Sequence, residues 1–263
     1  MDWTIYWFMF PVSMMVSLSA MVSGIGGSAL FMPIYVIIFP LLGPEYPFEA
    51  TITAVLVALI TMGFSFSSGT TVYAYKRLID YKMARSFLII ALPIAVGASW
   101  IAPAIWEWLL IAIYALLVGW VALSLVTSRT QEPSKLPRPN ILLTGFGAFT
   151  TGTSAVGIGE VIMQQLLASD FEKRQLVGTS VFVVFCTVVA ASLVLGWRVS
   201  KLENIQIPWN VICYTVPGVL IGSQIGPRIQ SKISRERLRI FIVCLFIFIS
   251  IAMIFVAYSK AMI

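Results

Sequence analysis

The sequence predicts an all-α polytopic membrane protein with two inverted repeats. Each repeat is a glycine-broken helical hairpin followed by three transmembrane helices, which gives roughly 8–10 spans in all. Of the 263 residues, 59% are hydrophobic and only 11% are charged, whereas soluble domains carry about 25% charge. The charges cluster between long uncharged runs, as in multi-span proteins. This composition argues against a soluble enzyme, a nucleic-acid binder and a disordered chain.

The first repeat, residues 1–128, opens with 42 uncharged residues between Asp2 and Glu45. That run is too long for one membrane helix of about 20 residues, and Gly24-Ile25-Gly26-Gly27 interrupts it. We therefore expect a broken hairpin. Three uncharged stretches of single-span length follow at 50–75, 86–106 and 108–128.

Residues 129–140 hold prolines and several charges, which predicts an exposed cytoplasmic linker. The second repeat, 141–263, begins inside a run of 31 residues between Arg138 and Asp170 whose one charge is Glu160. Gly157-Ile158-Gly159 breaks this run at the place that corresponds to Gly24-Ile25-Gly26, and its length favours a re-entrant hairpin over two full crossings. Predicted spans follow at 175–197, 204–227 and 240–259.

The distribution of Lys and Arg predicts the orientation in the membrane. If each broken segment returns to the side it entered from, 14 Lys and Arg lie on one side and 3 on the other; single crossings would give 10 against 7. The positive-inside rule favours the larger asymmetry. We therefore expect a multi-pass protein of the inner (plasma) membrane with both termini extracytoplasmic.

The two glycine breaks predict a substrate site. Irregular backbone at membrane depth survives only where it lines a cavity or a protein interior, and the helix N-termini beyond the breaks attract anions. No Lys or Arg lies within the long apolar runs, so backbone amides and small polar side chains would hold the anion. The predicted substrate-binding residues are Gly24, Gly26, Gly27, Ser28, Thr51, Thr53, Gly157, Gly159, Gln164, Thr179 and Ser180. The alternative is that the glycines only allow close helix packing, which is the favoured interpretation of Gly218, Gly222 and Gly226.

Glu160 is the predicted proton-coupling candidate, because a carboxyl group inside an apolar run usually faces a cavity and has a role. The alternatives are a position near cytoplasmic water or a cap on the helix that follows. The sequence contains no His, and we predict no catalytic residue, no metal and no cofactor.

Two motifs resemble those of the sulfite exporter TauE/SafE family of probable membrane transporters. The run SGIGGSALFMP at 23–33 is similar to the motif of that family's first repeat, and Gly157-Ile158-Gly159 followed by LVGTS at 176–180 is similar to the second. Glu160 and Leu166 stand where the family usually has glycine and proline. The resemblance implies a secondary carrier of small sulfur-containing or organic anions, such as sulfite, sulfonates or sulfoacetate.

The predicted function is therefore secondary transport of a small anion through a site at the two breaks, with export favoured. The chain has no phosphate-binding P-loop, so an ion gradient or the anion itself would supply the energy. The alternative is a passive anion channel; a membrane-embedded enzyme and a structural subunit are weaker hypotheses. The predicted partners are the small anion and the lipid bilayer, with no nucleic acid, and the sequence leaves a homodimer open.

Overall fold

A computed structural model describes residues 3–23, 27–46, 48, 50–127, 139–167, 173–202, 205–229 and 235–262, and all regular secondary structure in these ranges is helical. This confirms the predicted all-α class. The α-helices are α1 (Met9–Ser23), α2 (Ser28–Pro33), α3 (Phe39–Leu42), α4 (Thr51–Tyr75), α5 (Tyr81–Ile101), α6 (Glu107–Thr127), α7 (Ile141–Ser154), α8 (Ile158–Leu167), α9 (Lys173–Val199), α10 (Trp209–Ile229) and α11 (Arg235–Ala261). A π-helical turn, Ile34–Ile38, joins α2 to α3.

The first broken segment returns to the end of the bundle where it began. The Tyr6 hydroxyl, just before α1, lies 3.4 Å from the carbonyl oxygens of Glu45 and Tyr46, just after α3. Edge-on and tilted ring contacts between Tyr6, Phe39 and Tyr46, with centroids 5.6–6.2 Å apart, close the same end. The described residues 3–23 and 27–46 thus run out and back as a helical hairpin; Gly27 and the first turn of α2, where the return begins, are here called the first break.

The second broken segment is also a hairpin. Gln165, near the end of α8, accepts a 2.7 Å hydrogen bond from the Asn140 amide and donates a 3.2 Å bond to the Thr144 hydroxyl, both at the start of α7. The start of α7 and the end of α8 therefore lie side by side. The turn between them, residues 155–157, is called the second break.

Hydrogen bonds identify the two ends of the bundle. At one end, the Glu107 carboxylate accepts from the Thr51 amide at 3.0 Å, from the Thr51 hydroxyl at 3.2 Å and from Lys260 at 2.5 Å. This Glu107 end collects the starts of α4 and α6 and the end of α11. At the opposite, basic end, the Asp80 amide donates to the Thr179 hydroxyl at 2.9 Å, which joins the loop after α4 to the first turns of α9.

The main helix contacts cross between the two halves of the chain. Helix α1 packs mainly on α10, and α7 packs mainly on α5; α4 packs on α9 and α10, α9 packs on α4 and α5, and α6 pairs with α11. This pattern of contacts is unchanged when each helix is exchanged with the helix at the corresponding position of the other half, that is, α1 with α7, α4 with α9, α5 with α10 and α6 with α11.

Small residues permit the tightest of these contacts, which confirms the packing role predicted for the glycine ladder of α10. A Cβ at Gly222 would overlap the Met14 carbonyl of α1, and one at Gly218 would overlap the Phe10 carbonyl. A Cβ at Gly226 would meet the Met21 side chain. The backbones of α1 and α10 can approach this closely only because all three positions lack side chains.

Each of the six predicted spans falls on one long helix. By length and composition, the described helices that could cross a membrane are Thr51–Tyr75, Tyr81–Ala104 and Gln175–Val199, and shorter apolar helices cover Met9–Val22, Ala29–Leu42, Glu107–Leu123 and Phe246–Ala261. Helix α10 is in neither group, because it carries polar residues and three glycines among its 21 residues. It also begins at Trp209, later than the predicted start at 204, because Pro208 immediately precedes it.

Candidate functional site

The second break is a short left-handed turn buried in the protein. Helix α7 ends in Ala155, whose φ is 63° and whose amide donates to the Thr151 carbonyl at 3.0 Å. Gly157 has a φ of 138°, which favours glycine. A Cβ there would also lie 2.8 Å from the Gly147 carbonyl oxygen and would overlap the Thr150 hydroxyl. Conformation and space both require glycine at this predicted site residue.

At this turn, two backbone amides already donate hydrogen bonds to side chains of the protein. The Thr151 hydroxyl accepts from the Ile158 amide at 2.8 Å and donates to the Gly147 carbonyl at 2.8 Å. The Glu160 carboxylate accepts from the Gly157 amide at 3.1 Å. Glu160 is the third residue of α8, so its side chain folds back onto the residue before the helix, as in half of a capping box.

Glu160 is therefore a helix cap in this conformation, one of the alternatives that the sequence raised. It is 3% exposed, so the bundle, and not water, surrounds it. A buried carboxylate on free helix amides occupies the kind of position that suits an anion. Capping and proton coupling are compatible, because protonation would weaken the bond to Gly157.

At the first break, Gly24 and Gly26 lie outside the described residues. Gly27 is buried, and its carbonyl accepts from the Leu30 amide at 2.9 Å, which starts α2 at Ser28. A Cβ at Gly27 would lie 2.9 Å from the Ala20 Cβ of α1 and 3.3 Å from the Met62 sulfur of α4. Gly27 thus permits the close return of the chain onto α1.

The first turn of α2 has a carbonyl that its own helix cannot satisfy. The Ala29 carbonyl would normally accept from the amide four residues later, but that residue is Pro33, which has no N–H. The Tyr114 hydroxyl of α6 supplies the donor instead, at 2.6 Å. Tyr114 is fully buried, so this bond replaces the missing helical one away from water.

Helix α6 contacts both hairpins beside their breaks. Leu110, Tyr114 and Leu117 lie on one face of α6, since residues three and four apart are neighbours on a helix. The Leu110 carbonyl accepts from the Ser154 hydroxyl at 3.2 Å, and the Leu117 side chain lies 3.0 Å from the position of a Gly157 Cβ. Tyr114, between them, donates a hydrogen bond to the Ala29 carbonyl of the first hairpin.

The predicted hydroxyl-bearing residues of α4 and α9 are not brought together. Thr179 lies at the level of Tyr73, because the neighbouring Gly178 packs against that ring. Thr53 lies 20 residues earlier in α4, about 30 Å away at 1.5 Å per residue.

Each of these residues has a local environment of its own. Thr51 is bonded to Glu107 and accepts from Lys260 at 3.0 Å, and Thr179 accepts from the Asp80 amide. Within the described part of the chain, the buried Thr53 and Ser180 hydroxyls have no hydrogen-bond partner.

The remaining predicted residues lie on α8. Gly159 is buried in its first turn, and Gln164 is half-buried one turn beyond Glu160. The structure therefore places Gly157, Gly159 and Glu160 at or just after the second break and Gly27 directly before α2, whereas the predicted residues of α4 and α9 lie at separate levels.

Sequence reasoning missed Tyr114, Thr151 and Ser154. Tyr114 could have been noticed as an aromatic residue with a hydroxyl inside the predicted span 108–128. The hydroxyl-rich stretch at 150–154, directly before the second break, is a comparable signal.

Apolar helices throughout the described ranges, with two helical hairpins that both contact α6 beside their breaks, have the architecture of a polytopic membrane transporter. The family model described as Sulfite exporter TauE/SafE matches residues 9–253. The chain therefore belongs to the sulfite exporter TauE/SafE family of membrane transporters.

A curated relative agrees with this assignment. The chain is 24% identical over 229 residues to the "Probable membrane transporter protein YjnA" of Bacillus subtilis (strain 168), across 80% of this chain and 86% of that protein. No solved structure matches the chain.

Proposed function

We propose that this protein is a secondary transporter that moves a small anion, with export as the favoured direction, through a site at the two helix breaks. Sulfite, a sulfonate or a related organic anion is the proposed substrate class, in keeping with the family description. The observation that carries this proposal is that one helix, α6, contacts both hairpins beside their breaks, at Ala29 and at Gly157, since paired helix breaks inside a bundle are typical of transporter substrate sites.

The chemistry around the breaks suits an anion without a fixed cation. Amides and hydroxyls line this region, including the Thr151 and Tyr114 hydroxyls. Amides at helix N-termini bind anions through N–H donors and the helix dipole. The proposed substrate-binding set remains Gly24, Gly26, Gly27, Ser28, Thr51, Thr53, Gly157, Gly159, Gln164, Thr179 and Ser180, with the residues next to the breaks as its centre.

The proposed architecture is a pair of inverted repeats, 1–128 and 141–263, joined by a cytoplasmic linker at 129–140. The exchange symmetry of the helix contacts supports it, as do the two hairpins that return to their own ends. In the proposed orientation the basic end faces the cytoplasm and both termini face outward, in the inner membrane. We do not propose a homodimer, because no described residue supports one.

We further propose that Glu160 couples transport to protons. Its carboxylate occupies the Gly157 amide, and a fixed negative charge there would repel an arriving anion. Protonation removes the charge and weakens the cap, so that anion and proton would bind together. The pH gradient would then contribute to net transport.

The test is a counterflow assay with the purified full-length chain in proteoliposomes. Vesicles loaded with unlabelled sulfite, thiosulfate, sulfoacetate, taurine or sulfate are diluted into the labelled form of the same compound. A secondary transporter accumulates label transiently and saturates with substrate. Flux that neither saturates nor shows counterflow would instead support the channel, and an absence of flux for the whole panel would contradict the proposed substrate class.

A further inference from the structure

We propose that Tyr114 is a positioning residue that holds the first break against the second through its single hydroxyl. The inference deepens the proposed function and rests on it, because both breaks are taken as parts of one substrate site. It starts from Pro33, whose missing N–H leaves the Ala29 carbonyl without a helical donor. A buried carbonyl of this kind needs a donor from elsewhere.

The donor comes from the helix that touches the second break. Tyr114 Oη lies 2.6 Å from the Ala29 carbonyl oxygen, and the residues one turn to either side of it contact Ser154 and Gly157. The Tyr114 bond therefore does two things: it completes the first turn of α2, and it fixes that turn relative to α8.

The position of Glu160 makes this link relevant to transport. Its carboxylate accepts a hydrogen bond from the Gly157 amide, and Gly157 borders the Leu117 side chain, one turn from Tyr114 on α6. The hydroxyl has one proton to donate, and that proton is engaged by the first hairpin. In this arrangement, a change in the charge or position of Glu160 alters the position of the first break through the Tyr114 side chain.

Two roles of Tyr114 can be separated with Pro33. Tyr114→Phe removes the donor and the link together, whereas adding Pro33→Ala returns a backbone N–H to the Ala29 carbonyl without restoring the link. If Tyr114 only satisfies the carbonyl, the double variant will behave as wild type. If Tyr114 positions the breaks, the double variant will regain an ordered α2 but not transport.

The experiment combines counterflow with amide hydrogen exchange on the full chain in detergent. We expect Tyr114→Phe to lower counterflow about tenfold, within the usual range for the loss of a coupling between sites, and to speed amide exchange in peptides covering α2 and residues 155–160. In the double variant, exchange in α2 should slow to the wild-type rate, while residues 155–160 stay fast and counterflow stays low. Tyr73→Phe is the matched control, because the buried Tyr73 hydroxyl also donates to the first hairpin, at the Met21 carbonyl 3.2 Å away; it should leave exchange at 155–160 unchanged.

Two outcomes would overturn the proposal: wild-type exchange at residues 155–160 in Tyr114→Phe, or full recovery of both readouts in the double variant. If Tyr114→Phe does not fold, the double variant, which retains a donor for Ala29, is compared directly with Pro33→Ala. Hydrogen exchange also separates this proposal from the proposed function. A wild-type chain that moves none of the anions but shows the expected exchange pattern would contradict the substrate assignment and not the link.

Discussion

At the scale of single residues, two polar side chains hold the amides of the second break. Thr151 accepts a hydrogen bond from the Ile158 amide, and Glu160 accepts one from the Gly157 amide. Both amides belong to the start of α8, where the helix itself supplies no acceptor. Their loss should therefore have separate consequences, one for stability and one for the response to pH.

Thr151→Val should destabilise the protein by about 1–3 kcal/mol, because the buried Ile158 amide loses its acceptor. Thr153→Val is the matched control on the same helix. The Thr153 hydroxyl donates to backbone carbonyls of its own helix, at 3.0 Å and 3.4 Å, and lies 3.5 Å from the Ser154 hydroxyl, so its removal orphans no amide. Thermal unfolding in detergent measures both variants, and equal losses would show that Thr151 is not special.

Glu160→Gln should retain counterflow but lose the dependence of net transport on a pH gradient. Glutamine keeps the shape of the side chain and an acceptor oxygen for the Gly157 amide, but it cannot ionise. The measurement is initial uptake of the best substrate with and without an imposed pH gradient. Wild-type pH dependence in this variant would leave Glu160 as a helix cap only.

The position of the second break could be predicted from the sequence, but the side chains that accept hydrogen bonds from its amides could not. Glycine spacing and the single acidic residue of that run indicated where the backbone is irregular. That the carboxylate would fold back onto Gly157 was one of several geometries compatible with the spacing. The Tyr114 bond to Ala29 joins residues 85 positions apart, and no local pattern encodes such a pairing.

At the scale of helices, the contact between α1 and α10 depends on the absence of side chains at one ladder of positions. Ser13 and Ser17 add hydrogen bonds of 3.0 Å and 2.8 Å to the Thr215 and Val219 carbonyls of α10. These bonds form only while the two backbones remain close. Enlarging a ladder position should therefore remove packing and hydrogen bonds together.

Gly222→Ala should lower stability by about 1–3 kcal/mol, since the added Cβ would overlap the Met14 carbonyl and force the helices apart. Gly97→Ala is the matched control, because no atom lies within 4 Å of its added Cβ and alanine favours helix over glycine by up to about 1 kcal/mol. Unfolding temperatures in detergent should fall for the first variant and hold or rise for the second. A loss at Gly97 as large as that at Gly222 would contradict the packing explanation.

The helices themselves were predictable because apolar runs of membrane length, bounded by charges, leave few alternatives. Their side-to-side arrangement was not. Thr53 and Thr179 correspond in the repeat, and this suggested one shared site. Since α4 and α9 pack antiparallel, matching residues near the helix starts lie at opposite ends of the pair.

At the scale of the whole molecule, the basic loops and the Glu107–Lys260 pair mark opposite ends of the bundle. We expect single cysteines at Lys82 and Arg228 to resist an impermeant thiol reagent added outside intact cells, and one at Lys201 to react. All three native residues are exposed on the protein, so burial would not explain protection. Cys186, Cys213 and Cys244 would first be changed to Ser.

Labelling at only one of the basic-end positions would contradict the inverted repeats, because both belong to the same face in that arrangement. Labelling at both, with Lys201→Cys protected, would reverse the orientation and leave the fold unchanged. Permeabilised cells provide the control that each cysteine can react.

The crossed helix contacts have a consequence for biosynthesis. Each hairpin finds its main partner in the other half: α1 on α10, and α7 on α5. We therefore expect that neither half of the chain folds independently of the other. Before the second half is synthesised, α1 lacks the glycine ladder of α10, and the Glu107 carboxylate lacks Lys260. We therefore expect the first half alone to be incompletely packed in the bilayer and accessible to quality-control proteases. Halves made as separate polypeptides should accumulate only when both are produced in the same cell.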